Sequence, residues 1–273
     1  MELILQSEPR RTPGDLNWKF LGIPVRVHPS FWLASLLLCY TSIPPFGVVL
    51  VTIGCMFLSI FVHELGHALC YCYYGDRRPS MVLYWLGGLC KGKERNDTHW
   101  AHIAICLWGP GAGLILGAVA YGIGAYLFGP LFFWRASIAE SQIYAFYALN
   151  STFWFSVIWG LMNLLPVFPL DGGQVLRHWA KWKNWNNVDP RVFRISFYAA
   201  LTAAVLLLAF YVFLQIGNKE ADDKRNIFPA LMFAWLAFNS YMIGKQLGEG
   251  GSLDGEDAGP RQAWERDGDW WKN

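Results

Sequence analysis

The sequence predicts an all-α polytopic membrane protein: six transmembrane helices with a short re-entrant β-hairpin after the second. Three observations predict this class. The chain is 54% hydrophobic and only 15% charged, against about 25% charged residues in a soluble domain. Aromatic residues reach 17%, with 15 Trp, which is more apolar surface than one soluble core of this length needs. Long apolar runs recur along the chain, separated by short polar breaks, and runs of about 20 residues match the hydrocarbon thickness of a bilayer. A secreted disulfide scaffold, a disordered chain and a nucleic-acid binder are excluded by the same composition. The net charge of +2 offers no basic patch for a polyanion. The six cysteines include no CxxC pair. Most of them lie in apolar runs, where Cys behaves as a small hydrophobe.

In chain order, residues 1–29 read as a cytosolic N-terminal segment. They lack the basic start and apolar stretch of a cleaved signal peptide. Residues 30–246 read as a six-helix membrane domain, with spans at 30–43, 46–74, 101–128, 142–165, 192–216 and 227–244. The first span is the shortest, because Pro44 and Pro45 stop it. Residues 247–273, rich in Gly and acids, read as a flexible cytosolic tail whose Trp264, Trp270 and Trp271 suit a membrane interface. Basic residues stay in the cytosol. All but four of the 22 Lys and Arg residues fall on one side of this six-span arrangement, the exceptions being Arg135, Lys219, Lys224 and Arg225. The chain is therefore expected to be an integral, multi-pass protein with both termini cytosolic.

The second span ends in Phe61-Val62-His63-Glu64-Leu65-Gly66-His67. This is H-E-x-x-H on a helix. Positions i and i+4 share one helix face about 6 Å apart along the axis, so two imidazoles can hold one zinc. Glu64, beside the first ligand, reaches water at the metal rather than the metal itself, and zinc lowers the pKa of such water to about 7. A chance match has to be weighed against this. Two His and a Glu inside an apolar helix each cost roughly 2–3 kcal/mol to insert unless partnered, and a metal supplies the partner.

Zinc needs a third protein ligand and an open fourth position. Cys70 lies on the face of His63, but its axial offset of about 10 Å is too great for one ion. Asp171 is the best candidate. It comes after the fourth span in Asn163-Leu164-Leu165-Pro166-Val167-Phe168-Pro169-Leu170-Asp171-Gly172-Gly173. Pro166 and Pro169 break that helix, and both motifs approach the cytosolic side. Without the two histidines, Asp171 would read as an interfacial turn residue capping the segment after it.

These two motifs make the sequence resemble the site-2 protease family of intramembrane zinc metalloproteases, over about residues 20–246. The family's second motif, N-x-x-P-x-P-x-x-D-G, is matched by Asn163, Pro166, Asp171 and Gly172, while Phe168 stands where the second Pro is expected. Gly22 to His28 and Gly109-Pro110 are weaker echoes. The resemblance implies that His63, His67 and Asp171 bind one zinc per chain and that Glu64 is the general base. It implies that Asn163 helps hold the substrate backbone or the developing oxyanion. The plainer reading of Asn163 is a helix-packing amide. Met81 to Leu89 is β-rich, comes after Pro79 and is too short to span as a helix. It reads as a re-entrant hairpin beside the site. Its strand edge near Leu86, Gly87 and Gly88 could pair with an unwound substrate segment, or the segment could be a plain packing loop.

The function expected is cleavage of transmembrane segments near the cytosolic face. By resemblance, the substrates are single-pass proteins already trimmed by another protease, met within the lipid bilayer; no nucleic acid is involved. A non-catalytic membrane zinc-binding adaptor or metal-handling protein is the alternative. Glu64 argues against it, since zinc binding alone does not need that carboxylate. A prenyl-protein-processing zincin would require a Glu ligand on a later helix, and Glu140 falls on the wrong side.

Overall fold

The computed structural model describes residues 8–40, 46–76, 78–85, 87–92, 98–134, 138–217 and 227–248. Leu86 and all but the start of the predicted 247–273 tail lie outside the described residues. The chain divides into two units, Glu8–Asn163 and the part from Leu164 onward.

The first unit corrects the all-α expectation. Residues 16–27, within the expected N-terminal segment 1–29, form two strands, β1 (Leu16–Phe20) and β2 (Ile23–Val27). They alternate apolar and polar residues and pair antiparallel through a two-residue turn. Leu21 and Gly22 both take positive φ there, the geometry that matches the twist of a tight hairpin. Two helices come next, α1 (Pro29–Tyr40) and α2 (Phe46–Tyr73). The expected hairpin then forms as β3 (Ser80–Tyr84) and β4 (Gly87–Lys91). It is not isolated, for β3 runs parallel to β2, with Val25 opposite Met81 and Val27 opposite Leu83. The sheet order is β1-β2-β3-β4.

Parallel neighbours require a crossover, and here α1 and α2 are that crossover. Helix α2 therefore packs back on the sheet. Val25, Val27, Met81 and Leu83 close one core with Met56, Ile60, Phe61 and Ala68 of α2 and Phe31 of α1. Trp32 stacks on Phe57, which stacks on Phe61, at 5.5 and 5.8 Å between ring centroids.

Helix α3 (His99–Phe128) begins at Thr98, whose hydroxyl accepts from the Ala101 N–H, and continues through Pro110. Helix α4 (Ile143–Asn163) is the next long element. Small residues let these helices approach closely. An added Cβ at Gly66 would meet the Trp108 carbonyl of α3, and one at Gly117 would lie 3.0 Å from Val157 of α4. Buried Ser156 donates to Ser59 across the α2–α4 contact at 3.0 Å.

The second unit holds α5 (Asp171–Trp182), α6 (Val188–Gly217) and α7 (Phe228–Gly248). Arg177 of α5 clasps Asp189 of α6 at 2.7 Å. Among the described residues, three helices are long and apolar enough to cross a membrane: α2, α3 and the Val188–Phe213 part of α6. Helix α1 has 12 residues, fewer than a span of about 20 needs. Helices α4 and α7 have 21 each, but polar residues such as Asn150, Ser151 and Asn239 dilute their apolar character. The segment at 166–194, expected to be a loop, contains α5, an amphipathic helix rather than an apolar one.

The most deeply enclosed charged group among the described residues of the first unit is an arginine. Arg26 of β2, 1% exposed, bonds Glu8 at 2.8 Å, Asp15 at 3.1 Å and the Pro9 carbonyl at 2.9 Å. It fastens residues 8–15 to the sheet. Removing one member of a buried ion pair strands the other charges, at a cost of about 3–5 kcal/mol. Arg26→Gln should therefore lower the thermal unfolding midpoint of the detergent-solubilised protein markedly. Lys91→Gln, at the half-exposed 3.4 Å contact with Glu8, should lower it by much less.

Candidate metal centre

His63, Glu64 and His67 are all buried, at 3%, 5% and 7% exposure. Helical spacing turns them toward two neighbours. The histidines face α3 and the glutamate faces β4.

His67 Nδ1 lies 2.7 Å from the Ile105 carbonyl. A carbonyl only accepts, so Nδ1 carries the hydrogen and Nε2 presents a lone pair. That Nε2 lies 3.2 Å from His63 Nε2, with the rings nearly perpendicular. Two nitrogens bound to one tetrahedral zinc at about 2.05 Å would stand about 3.3 Å apart. The donor pair thus fits zinc in atom type, tautomer and separation. Gly109 of α3 completes the seat: a Cβ there would fall on Nε2, Cε1 and Cδ2 of the His67 ring.

On the other flank, a Cβ at Gly88 of β4 would overlap Cγ, Cδ and Oε1 of Glu64. The Glu64 side chain therefore lies directly on the backbone of β4. Burial, and next the Glu64 and Glu8 carboxylates, push the Tyr84 phenol of β3 above its ordinary range. Tyr84 therefore stays protonated through neutral pH. Gly87 pairs with Tyr84 and lies beneath Trp159 of α4, to which an added Cβ would come within 3.7 Å. Asn163, the last residue of α4, donates its side-chain N–H to the Trp159 carbonyl at 2.9 Å.

Asp171 opens α5 in the second unit and is half-buried. The turn before it is tied by Val167 N–H to the Leu165 carbonyl at 2.7 Å and Leu170 N–H to the Val167 carbonyl at 2.8 Å. Phe168, where the resemblance expected Pro, is buried and packs on Phe193 of α6 at 4.9 Å. Its N–H donates to Ser196 Oγ at 3.1 Å. The Gly172-Gly173 pair is needed for space, since a Cβ at Gly172 would strike the Leu164 and Leu165 carbonyls. The aromatic anchor therefore holds the chain path that the missing Pro put in question. His28, outside this site, has a capping role: its Nδ1 accepts from the Ser30 N–H at the start of α1.

Sequence reasoning grouped His63, Glu64 and His67 correctly on one helix turn. It gave Gly88 to substrate alone and treated Gly109 as an echo of a motif. The contacts of these glycines with Glu64 and His67 are tertiary, and no local pattern announces them.

A buried H-E-x-x-H pair of histidines on an apolar helix, laid on a small sheet and packed against a glycine-containing apolar helix, is the donor arrangement of the zinc-peptidase class. The family model for Peptidase family M50 matches residues 51–209. The chain belongs to that family. It is 29% identical over 168 residues to the sll0528 protein of Synechocystis sp., covering 57% of this chain and 41% of that one. It is 27% identical over 163 residues to zinc metalloprotease MJ0392 of Methanocaldococcus jannaschii (59% and 43%), and 26% identical over 164 residues to stage IV sporulation protein FB of Bacillus subtilis (59% and 49%). The chain thus spans less than half the length of these relatives. Its fold is similar to that of the site-2 protease from M. jannaschii, with a TM-score of 0.53, 21% identity, and coverage of 84% of this chain and 95% of that one.

Ligand orientation by neighbouring groups is worth about 10–100-fold in metal affinity. Gly109→Ala, which pushes into the His67 ring, should weaken zinc binding by that factor in a chelator competition with the purified protein.

Proposed function

We propose that this chain is an intramembrane zinc metalloendopeptidase. It cleaves transmembrane segments of membrane proteins near the cytosolic face of the bilayer. The observation that carries this reading is the pair of facing Nε2 atoms, 3.2 Å apart, with the Glu64 carboxylate on the same buried helix turn. Zinc binding alone would leave that buried carboxylate without a task.

His63 and His67 would hold zinc through Nε2, with Asp171 as third ligand and one ion per chain. Bound zinc would supply Lewis acidity to the scissile carbonyl and to the attacking water. Glu64 takes a proton from that water at its carboxylate and returns it to the leaving amide nitrogen. Ile105 and Gly109 keep the His67 ring from turning. Asn163 orients substrate backbone or the developing oxyanion through its amide. The edge of β4, at Gly87 and Gly88, receives an unwound substrate strand, because helical peptide bonds are hidden from any hydrolase. Six spans with both termini cytosolic place this chemistry near the cytosolic surface. Single-pass proteins already trimmed by another protease fit a site that only an unwound helix end can enter. The surrounding helices limit entry of bulk water.

The purified full chain should hydrolyse a model transmembrane substrate in detergent or proteoliposomes. Glu64→Gln should abolish cleavage, at least about 1,000-fold, with one equivalent of zinc retained by metal analysis; undiminished cleavage would remove Glu64 as base. Asp171→Asn should lose both zinc and activity. Full zinc occupancy and full activity in that variant would remove Asp171 from the ligand set.

A further inference from the structure

Gly88 is a glycine whose backbone does not need one. The glycines of the described residues with positive φ are Gly22, Gly75 and Gly129, and Gly88 sits in regular strand, paired with Leu83. Its reason must be space. That space is filled by Glu64, whose Cγ, Cδ and Oε1 occupy the position a Cβ would take. The same relation recurs just beyond the end of β4. A Cβ at Gly92 would overlap the ring of Tyr71 and lie 2.8 Å from Asp76 Oδ2. Glu64, Ala68 and Tyr71 form an i, i+4, i+7 stripe on α2, and Ala68 is fully buried. Four strand residues advance about 13 Å and seven helical residues about 10 Å. The strand thus lies along this stripe, with a glycine at each place where a long side chain rises from the helix.

We infer that Gly88 is a positioning residue for Glu64: the bare backbone of β4 is the surface on which the carboxylate rests, and it fixes that carboxylate relative to the strand. This deepens the peptidase reading and rests on it. The base and the outermost strand of the sheet are then one rigid unit. A peptide paired with β4 would meet the base at a fixed height without any motion of Glu64. Alanine at 88 keeps every backbone donor and acceptor of β4 but takes the volume that Glu64 occupies. It therefore separates support of the base from pairing with substrate.

The test is a double-mutant cycle on the full-length, zinc-loaded protein in detergent: wild type, Gly88→Ala, Glu64→Ala and the double variant. Thermal unfolding midpoints come first, since they need no activity. Gly88→Ala should lower the midpoint by about 4 °C or more in wild type, and by less than half as much in the Glu64→Ala background, where the space is vacated. Equal losses in both backgrounds, or no loss in either, would overturn the contact. Activity is measured next. A misplacement on the order of 1 Å costs about 100-fold in rate, so Gly88→Ala should lower kcat by about 10–100-fold with KM and zinc content within about threefold of wild type. An unchanged kcat, or a loss confined to KM, would overturn the positioning role. If wild type itself fails to cleave, the peptidase reading fails, while the thermal cycle still decides whether Gly88 seats Glu64.

Discussion

Two imidazoles and a carboxylate on one turn of an apolar helix are the constraint to which the rest of the first unit answers. Each would be expensive to bury alone. The neighbouring elements meet this cost with shape as much as with bonds. Ile105 supplies a carbonyl to His67. Gly109 and Gly88 withdraw their side chains so that the imidazole and the carboxylate have room. Gly66, inside the motif, does the reverse and lets α3 come against α2. The helix is then gripped from three sides: by α3 at Gly66, by α4 through the Ser59–Ser156 bond, and by the sheet through Ile60, Phe61 and Ala68. Rotation of α2 by even one position would drive a long side chain into backbone. That rigidity is what a pair of metal donors needs, because their separation is set by the helix and not by a flexible loop.

Much of this was legible in the sequence, for physical reasons that differ from element to element. His63, Glu64 and His67 stand out because such residues are costly within an apolar run. Helices α2, α3, α4, α6 and α7 fall within a few residues of the predicted spans, because run length reports them. The same rule hid the strands. Five-residue elements such as Leu16–Phe20 and Ile23–Val27 are too short to register as runs. Their alternation about Leu21-Gly22 was a local signal for a hairpin that the span-length reading did not use. The parallel β2–β3 pairing spans more than fifty residues and leaves no local trace. Helix α5 was missed because one of its faces is polar: Val175, Leu176, Trp179 and Ala180 recur at helical spacing among charges. Leu86 and all but the first residues of the tail fall outside the described residues.

Phe168 shows how one path can be held by different chemistry. Proline at that position would restrain the chain through its ring. Here a buried aromatic contact with Phe193 and a hydrogen bond to Ser196 hold it instead. The restraint comes from α6 rather than from the backbone itself, so in the second unit the turn before Asp171 depends on helix packing. Substitution at Ser196 or Phe193 would reach that turn, although neither residue belongs to the motif.

The two outermost strands of the sheet differ in a way that bears on the proposed activity. Edge strands invite pairing with other chains, and proteins commonly guard them with charge or bulk. β1 carries Asn17 and Lys19. β4 begins with two glycines and places its only charge, Lys91, at the far end, where Glu8 engages it at 3.4 Å. The strand thus keeps bulk and charge away from its Glu64 end. Gly88 had to be bare on the α2 side to admit the carboxylate, and a residue without a side chain also leaves the neighbouring backbone accessible. A single glycine therefore allows close packing against the Glu64 carboxylate and adds no side chain of its own beside the strand backbone. Under the proposed activity, in which the substrate is met as an extended strand, this end of β4 is where packing and access would coincide.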